Sequence, residues 1–196
     1  MDPFVLPELP GLPVLQGPDA WNVDDFEGAF DAYFGPLAPT LGADHVGYRN
    51  HCLRVFLNVK ALAPALDLRP VVPALVFHDI ALWTHRTVDY LEPSAAVARE
   101  HLERIGAHDW IAPVEAMILW HHKQRRYRGP FEEYVEPVRR GDMGDFTFGL
   151  QGSVPREALR EGRARYPNAG FHAMLMRRTV GRLFTKPWSP LPMMRW

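Results

Sequence analysis

The chain has 196 residues with a hydrophobic fraction of 47% and a charged fraction of 23%, a make-up that suits one soluble globular domain with appended segments. Its 22 basic and 23 acidic residues leave a net charge of −1, which gives no bulk-charge argument for nucleic acid or an anionic membrane surface, so any charged ligand must be met locally. No apolar run is long enough for a membrane span, and the single cysteine, Cys52, excludes an intrachain disulfide and suits a reducing compartment.

In chain order, residues 1–20 hold five prolines and read as a Pro-rich extended arm. This amino terminus lacks a basic region and resembles neither a signal nor a transit peptide, so the expected compartment is the cytoplasm. A helical domain is expected over 21–187, followed by a Pro-rich tail over 188–196. The two arms leave a homo-oligomer and self-wrapping equally open. From Trp21 to Phe34 the spacing of Trp21, Phe26, Phe30 and Phe34 predicts a short amphipathic helix, with Asp24, Asp25 and Glu27 near its amino end. Gly42 to Ala63 reads as the next helix, with Val46, Leu53, Phe56 and Val59 on or near one side. Tyr48 and Val55 lie one turn to either side of His51, which can therefore face inward.

After a connector comes VVPALVFHDIALW, Val71 to Trp83, an apolar run carrying His78 and Asp79. It contains no interior breaker and predicts a buried helix of about three turns. A carboxylate in such a run costs several kcal/mol to bury unless it is compensated. Asp79 therefore requires either an arginine, such as Arg49 or Arg54, or a metal ion. Thr84 to Pro93 reads as a polar link, and PSAAVAREHLERIG as a helix closed by Gly106, with Ala98, Leu102 and Ile105 buried and His101 at the edge of that stripe. A second pair, His108 and Asp109, lacks an apolar frame and reads as a decoy, with Asp109 a helix cap.

Trp110 to His122 carries Ile111, Val114 and Ile118 on one face and ends in His121 and His122. These rings fall about 60° and 40° to either side of Ile118, so periodicity does not choose between them. The basic stretch HHKQRRYRG leads into a loop. Beyond Phe131 the spacing of Val135, Val138, Asp142 and Phe146 turns Asp142 inward, with Asp145 one turn later and Gly141 and Gly144 permitting close packing. Helices at Pro155 to Arg165 and Phe171 to Phe184 complete an all-α reading, and no alternating pattern supports a sheet.

Inward-facing His51, His78, Asp79 and Asp142 form a nitrogen and oxygen donor set for zinc, manganese, iron, cobalt or nickel. The order H, HD, D, in HCLRV, LVFHDIA and RRGDMGD, resembles the HD-domain superfamily of metal-dependent hydrolases over roughly Asp44 to Leu150. The resemblance implies a single compact helical domain with a divalent transition-metal ion between its helices. Two-metal members add histidines after the HD pair. Here Ser94 stands where the first is expected and His101 lies about two turns later, while His121 or His122 is available for another, so one ion is favoured over two. Nucleotidase-like members carry a carboxylate soon after the HD pair, and the nearest acids here are Asp89 and Glu92.

The function implied is hydrolysis of a small phosphorylated metabolite or nucleotide by metal-activated water. Lys123, Arg126 and His122 are candidates to bind substrate phosphate. Lys123 leads among the basic residues Lys123, Arg125, Arg126 and Arg128, whose bland reading is a solvated loop. Asp145 or Asp89 would act as general base or orient a ligand histidine, and His172 could reach the site from the last helix. Alternatives carried by the same resemblance are a diiron oxygenase, recruiting His101 with His121 or His122, and a hydratase of small nitriles. A metal-stabilised domain without activity is the bland alternative.

Overall fold

The computed structural model describes residues 25–185, and the expectations for the two Pro-rich arms and for Trp21 fall outside them. Nine α-helices and no strand occur among the described residues: α1 Phe26–Leu41, α2 His45–Leu62, α3 Val71–Phe77, α4 Ala81–Thr84, α5 Leu91–Arg104, α6 His108–Trp120, α7 Glu132–Phe146, α8 Arg156–Arg165 and α9 Phe171–Thr185. No helix is long and apolar enough to cross a membrane.

The Asp25 carboxylate caps α1 by accepting from the Gly28 amide at 3.0 Å. The helix runs on past Phe34, where the aromatic spacing ends, to Leu41. Its buried stripe of Phe30, Phe34, Leu37 and Leu41 continues past Pro36 and Pro39, and burial of that stripe offsets the hydrogen bonds the prolines cannot donate. The helix stops at Gly42, whose φ of +54° lies in the left-handed region. A 3-10 turn over Gly42–Asp44 then leads into α2.

Helix α2 is the central element, packing against α1, α3, α7 and α8. Its inward residues include His51, Leu53, Phe56 and Val59, but Val46, in the first turn, is 56% exposed and leaves the expected stripe. Helix α7 lies close against α2 because Gly141 has no side chain. A Cβ there would stand 3.2 Å from Val59 Cγ2 and 3.3 Å from the Val55 carbonyl oxygen. Asn58 locks the contact by donating to the Gly141 carbonyl at 2.9 Å. Phe146, expected on the inward face of α7, is 41% exposed at the helix end.

The Val71–Trp83 run is buried as expected, but it is two helices rather than one. Helix α3 ends at Phe77, and His78–Ile80 form a tighter turn held by Ile80 N–H to Phe77 O (3.1 Å) and Leu82 N–H to Asp79 O (2.9 Å). Side chains take the backbone groups that would have continued the helix. The Asp79 amide donates to the Tyr48 hydroxyl at 3.2 Å, and the Leu75 carbonyl accepts from His78 Nδ1 at 2.6 Å. Ser94 accepts from the Ala81 amide at 3.1 Å and so supports the start of α4.

Helix α5 packs on α6, and Gly106, at φ +73°, turns the chain between them. His108 and Asp109 are both exposed, away from the buried acid cluster, but Ala107 is the cap of α6 and Asp109 sits inside its first turn. Beyond α7 the chain turns sharply at Gly152 (φ +84°), where a Cβ would stand 2.2 Å from the Arg140 carbonyl oxygen. Gly152→Ala is expected to lower stability by about 2–4 kcal/mol, since positive φ and a backbone clash act together. Chemical denaturation measures it, and a loss below about 0.5 kcal/mol would show that this turn relaxes freely.

Candidate metal centre

Six titratable side chains converge between α2, the His78–Ile80 turn, the end of α6 and α7. They are His51, His78, Asp79, His121, Asp142 and Asp145, all buried, with His122 beside them half-buried. His51 Nε2 lies 3.2 Å from His78 Nε2 and 3.2 Å from Asp142 Oδ1. His78 Nε2 lies 3.3 Å from Asp79 Oδ2, and His121 Nε2 lies 3.4 Å from Asp79 Oδ1. The four predicted ligands are thus brought together, but in overlapping triads. Ligand atoms of His51, His78 and Asp142 lie within 4.8 Å of one another, as do those of His78, Asp79 and His121, and those of His121, His122 and Asp142.

Three of the rings are aimed by the same device. His78 Nδ1 faces the Leu75 carbonyl at 2.6 Å, and His121 Nδ1 faces the Ile118 carbonyl at 2.7 Å. Because a carbonyl only accepts, Nδ1 carries the proton in each ring and Nε2 presents its lone pair to the centre. His51 Nδ1 faces Asp145 Oδ2 at 2.8 Å, and Phe171 stacks on the His51 ring at 4.2 Å between centroids. Asp145 is itself gripped by Arg54, through Nε at 2.7 Å and Nη2 at 2.8 Å. His121 keeps helical angles (φ −58°, ψ −26°) as the cap of α6, and it and His122 both reach the cluster from the end of that helix.

Among the described residues no arginine pairs with Asp79. Arg54 is committed to Asp145 and Arg49 to Asp31, so the arginine pairing open at the sequence level is not found. The neighbours of Asp79 are His78, His121 and His122. Burial opposes ionisation of Asp79 and Asp142, yet the surrounding imidazoles hold both carboxyls below the usual range. Burial likewise opposes charge on His51 and His121, but the carboxylates outweigh it. His51 is held up at about 9 and His121 is raised, whereas burial pushes His78 down to about 4 and His122 to about 3. Asp79 Oδ1, Asp142 Oδ2 and His121 Nε2 are buried without a hydrogen-bond partner. Two imidazoles, two carboxylates and orphaned lone pairs are what a divalent transition metal accepts, so these groups fit such an ion.

Beside them lies a cavity of about 80 Å³. It is lined by His51, Asp79, Asp142, His122 and Tyr90 together with Met143, Phe146, Phe171, Leu175 and Thr179. The Tyr90 hydroxyl lies 2.6 Å from His122 Nε2. Tyr90, Met143 and Phe171 carry no sequence signal for this role, since Tyr90 falls in the polar link, Met143 stands between Asp142 and Gly144, and Phe171 opens the last helix. The other candidates stand away from the cavity wall. Asp89 is exposed, Arg126 pairs with Glu132 at 2.7 Å, and the half-buried Lys123 accepts from Arg139 through its carbonyl at 3.0 Å. His172 stacks on Phe148 and faces the Phe146 carbonyl at 3.2 Å. His101 belongs to none of the triads and packs against Tyr33 and Phe77, because it projects from α5 into the core beneath α1 and α3.

Asp145→Asn is expected to weaken divalent-metal affinity by about 10–100-fold, read by competition with a chelator, because His51 loses the partner that orients it. Unchanged affinity would remove Asp145 from the support of the centre. Burial, and next the nearby Arg104, pushes His101 down to about 4 from 6.5, so the fold accepts the neutral ring. Its contribution to stability is complete above pH 6.5 and is lost as pH falls through that value toward about 4. Denaturation midpoints of His101→Phe should therefore vary less with pH across this window than those of the wild type, and an equal slope would assign the pH dependence to other groups. No protein-family model, curated protein or solved structure matches the chain, so the reading of this centre rests on its own donors.

Proposed function

We propose that the protein is a metal-dependent hydrolase of small phosphate esters with an apolar organic group, its divalent ion seated among His51, His78, Asp79 and Asp142. The observation that carries this reading is the group of buried polar atoms on Asp79, Asp142 and His121 without a hydrogen-bond partner among the described residues, set against a cavity. When bound, such an ion supplies a water acidified toward neutral pH and a Lewis-acid contact for the bond under attack.

The chain's own residues contribute position, charge and exclusion of water. His51 and His78 point Nε2 inward, and Asp79 and Asp142 bring the negative charge that retains a cation. Asp145 is poorly suited to be a general base, since Arg54 and His51 already engage both of its oxygens. His122 and Tyr90 lie on the cavity wall, where they can hydrogen-bond a non-bridging or leaving oxygen. Met143, Phe146, Phe171 and Leu175 offer an apolar surface to the organic group. With Lys123 and Arg126 off the wall and His122 pushed down to about 3, phosphate charge would be met by the ion.

One observation favours a second reading, hydration of a small nitrile: among the described residues the cavity wall contains no lysine or arginine. The diiron oxygenase reading is less well supported, because His101, one of its candidate ligands, packs elsewhere.

Protein purified without an affinity metal column is expected to carry about one divalent ion per chain, lost in Asp79→Ala. Metal-loaded protein should release phosphate from small alkyl or aryl phosphates, whose organic group the apolar lining can cover. Amide formation from small nitriles without phosphate release would transfer the protein to the hydratase reading. Inertness toward both panels would defeat water activation as its function.

A further inference from the structure

The two oxygens of Asp79 face different partners. Oδ2 lies toward His78 at 3.3 Å, whereas Oδ1 lies 3.4 Å from His121 Nε2 and 4.0 Å from His122 Nε2. Asp79 Oδ1 and His121 Nε2 are buried and without a hydrogen-bond partner, and the His121 and His122 rings lie 3.9 Å apart between centroids. With a free His122 Nε2, these three atoms would make a second donor face of two imidazoles and one carboxylate, adequate for another divalent cation. His122 Nε2 is not free, because the Tyr90 hydroxyl lies 2.6 Å from it. Tyr90 is itself fixed, with 1% exposure, just before α5. The other nitrogen of His122, Nδ1, is turned toward Asp142 Oδ2 at 3.6 Å and carries the ring's proton while Nε2 accepts from Tyr90, so it is closed to an ion among His121, His122 and Asp142 as well.

We infer that Tyr90 is a positioning residue that limits the centre to one ion, by holding His122 Nε2 and so keeping the face formed by Asp79, His121 and His122 from closing on a second. The inference rests on the metal-centre reading above and adds to it a residue that sets stoichiometry. Tyr90→Phe keeps the ring and removes only the oxygen, which frees His122 Nε2 without opening a large hole.

The test is the number of divalent ions per chain, by elemental analysis of dialysed protein reconstituted with excess Mn(II). The spin–spin coupling of paired Mn(II) ions, read by electron paramagnetic resonance, provides a signature independent of activity. Wild type should hold about one ion, Tyr90→Phe about two with the coupled signal, and the double variant Tyr90→Phe/His122→Ala about one again. His122→Ala alone should still hold one ion, which keeps the inference testable if Tyr90→Phe folds poorly. Two ions in wild type, one ion in a folded Tyr90→Phe, or loss of the ion in His122→Ala would each overturn the role of Tyr90. Wild type without any ion would instead overturn the metal centre itself.

Discussion

Three carboxylates, those of Asp79, Asp142 and Asp145, lie within an apolar helical core with one arginine, Arg54, to meet them. Removing a carboxylate from water costs several kcal/mol even after relaxation, so the packing of α2, α6 and α7 depends on how this charge is compensated. Arg54 settles Asp145. The other two are left to imidazoles, and the carboxylates in turn favour protons on those rings, His51 being held up at about 9 and His121 raised. A divalent ion would take over from those protons, which couples metal binding to proton release and to the stability of the core.

The supporting contacts follow from the same constraint. Carbonyls at Leu75 and Ile118 fix Nδ1 of His78 and His121, Asp145 fixes Nδ1 of His51, and Tyr48 takes the amide of Asp79. Each polar group beside the centre is thereby turned by a neighbour from a different element or a preceding turn. The arrangement spends backbone hydrogen bonds at His78–Ile80 to do this, and the unbroken apolar run around the pair anchors the distorted turn on both sides.

Legibility in the sequence tracked the physical source of each position. His51 and Asp142 were readable because they occupy inward faces of long helices, where three-and-four spacing fixes direction. Asp79 was readable as a problem of buried charge, although its neighbours proved to be histidines rather than arginine. The break after Phe77 was not readable, since it arises from Tyr48, a residue distant in the chain, capturing an amide. The two histidines after Ile118 were ambiguous because they flank it on an ideal wheel, and in the fold both reach the cluster from the end of α6. The basic loop looked like a phosphate clamp because its residues follow those histidines in sequence, but Arg126 is turned away by Glu132. Tyr90 and Phe171 became part of the site through tertiary packing alone.

The absent side chain at Gly141 acts as a spacer of minimal thickness. It immediately precedes Asp142 on α7 and lies against Val55, Asn58 and Val59, one to two turns beyond His51 on α2. The bite between an imidazole of one helix and a carboxylate of the other is therefore set by how closely two backbones approach. A methyl group at this point would push its neighbours by a few tenths of an ångström. That displacement is about the difference between the 2.0–2.2 Å bonds preferred by zinc and the 2.3–2.6 Å bonds preferred by calcium. For any ion held by these donors, size selection would thus be a property of helix spacing, written at a residue that is itself no ligand.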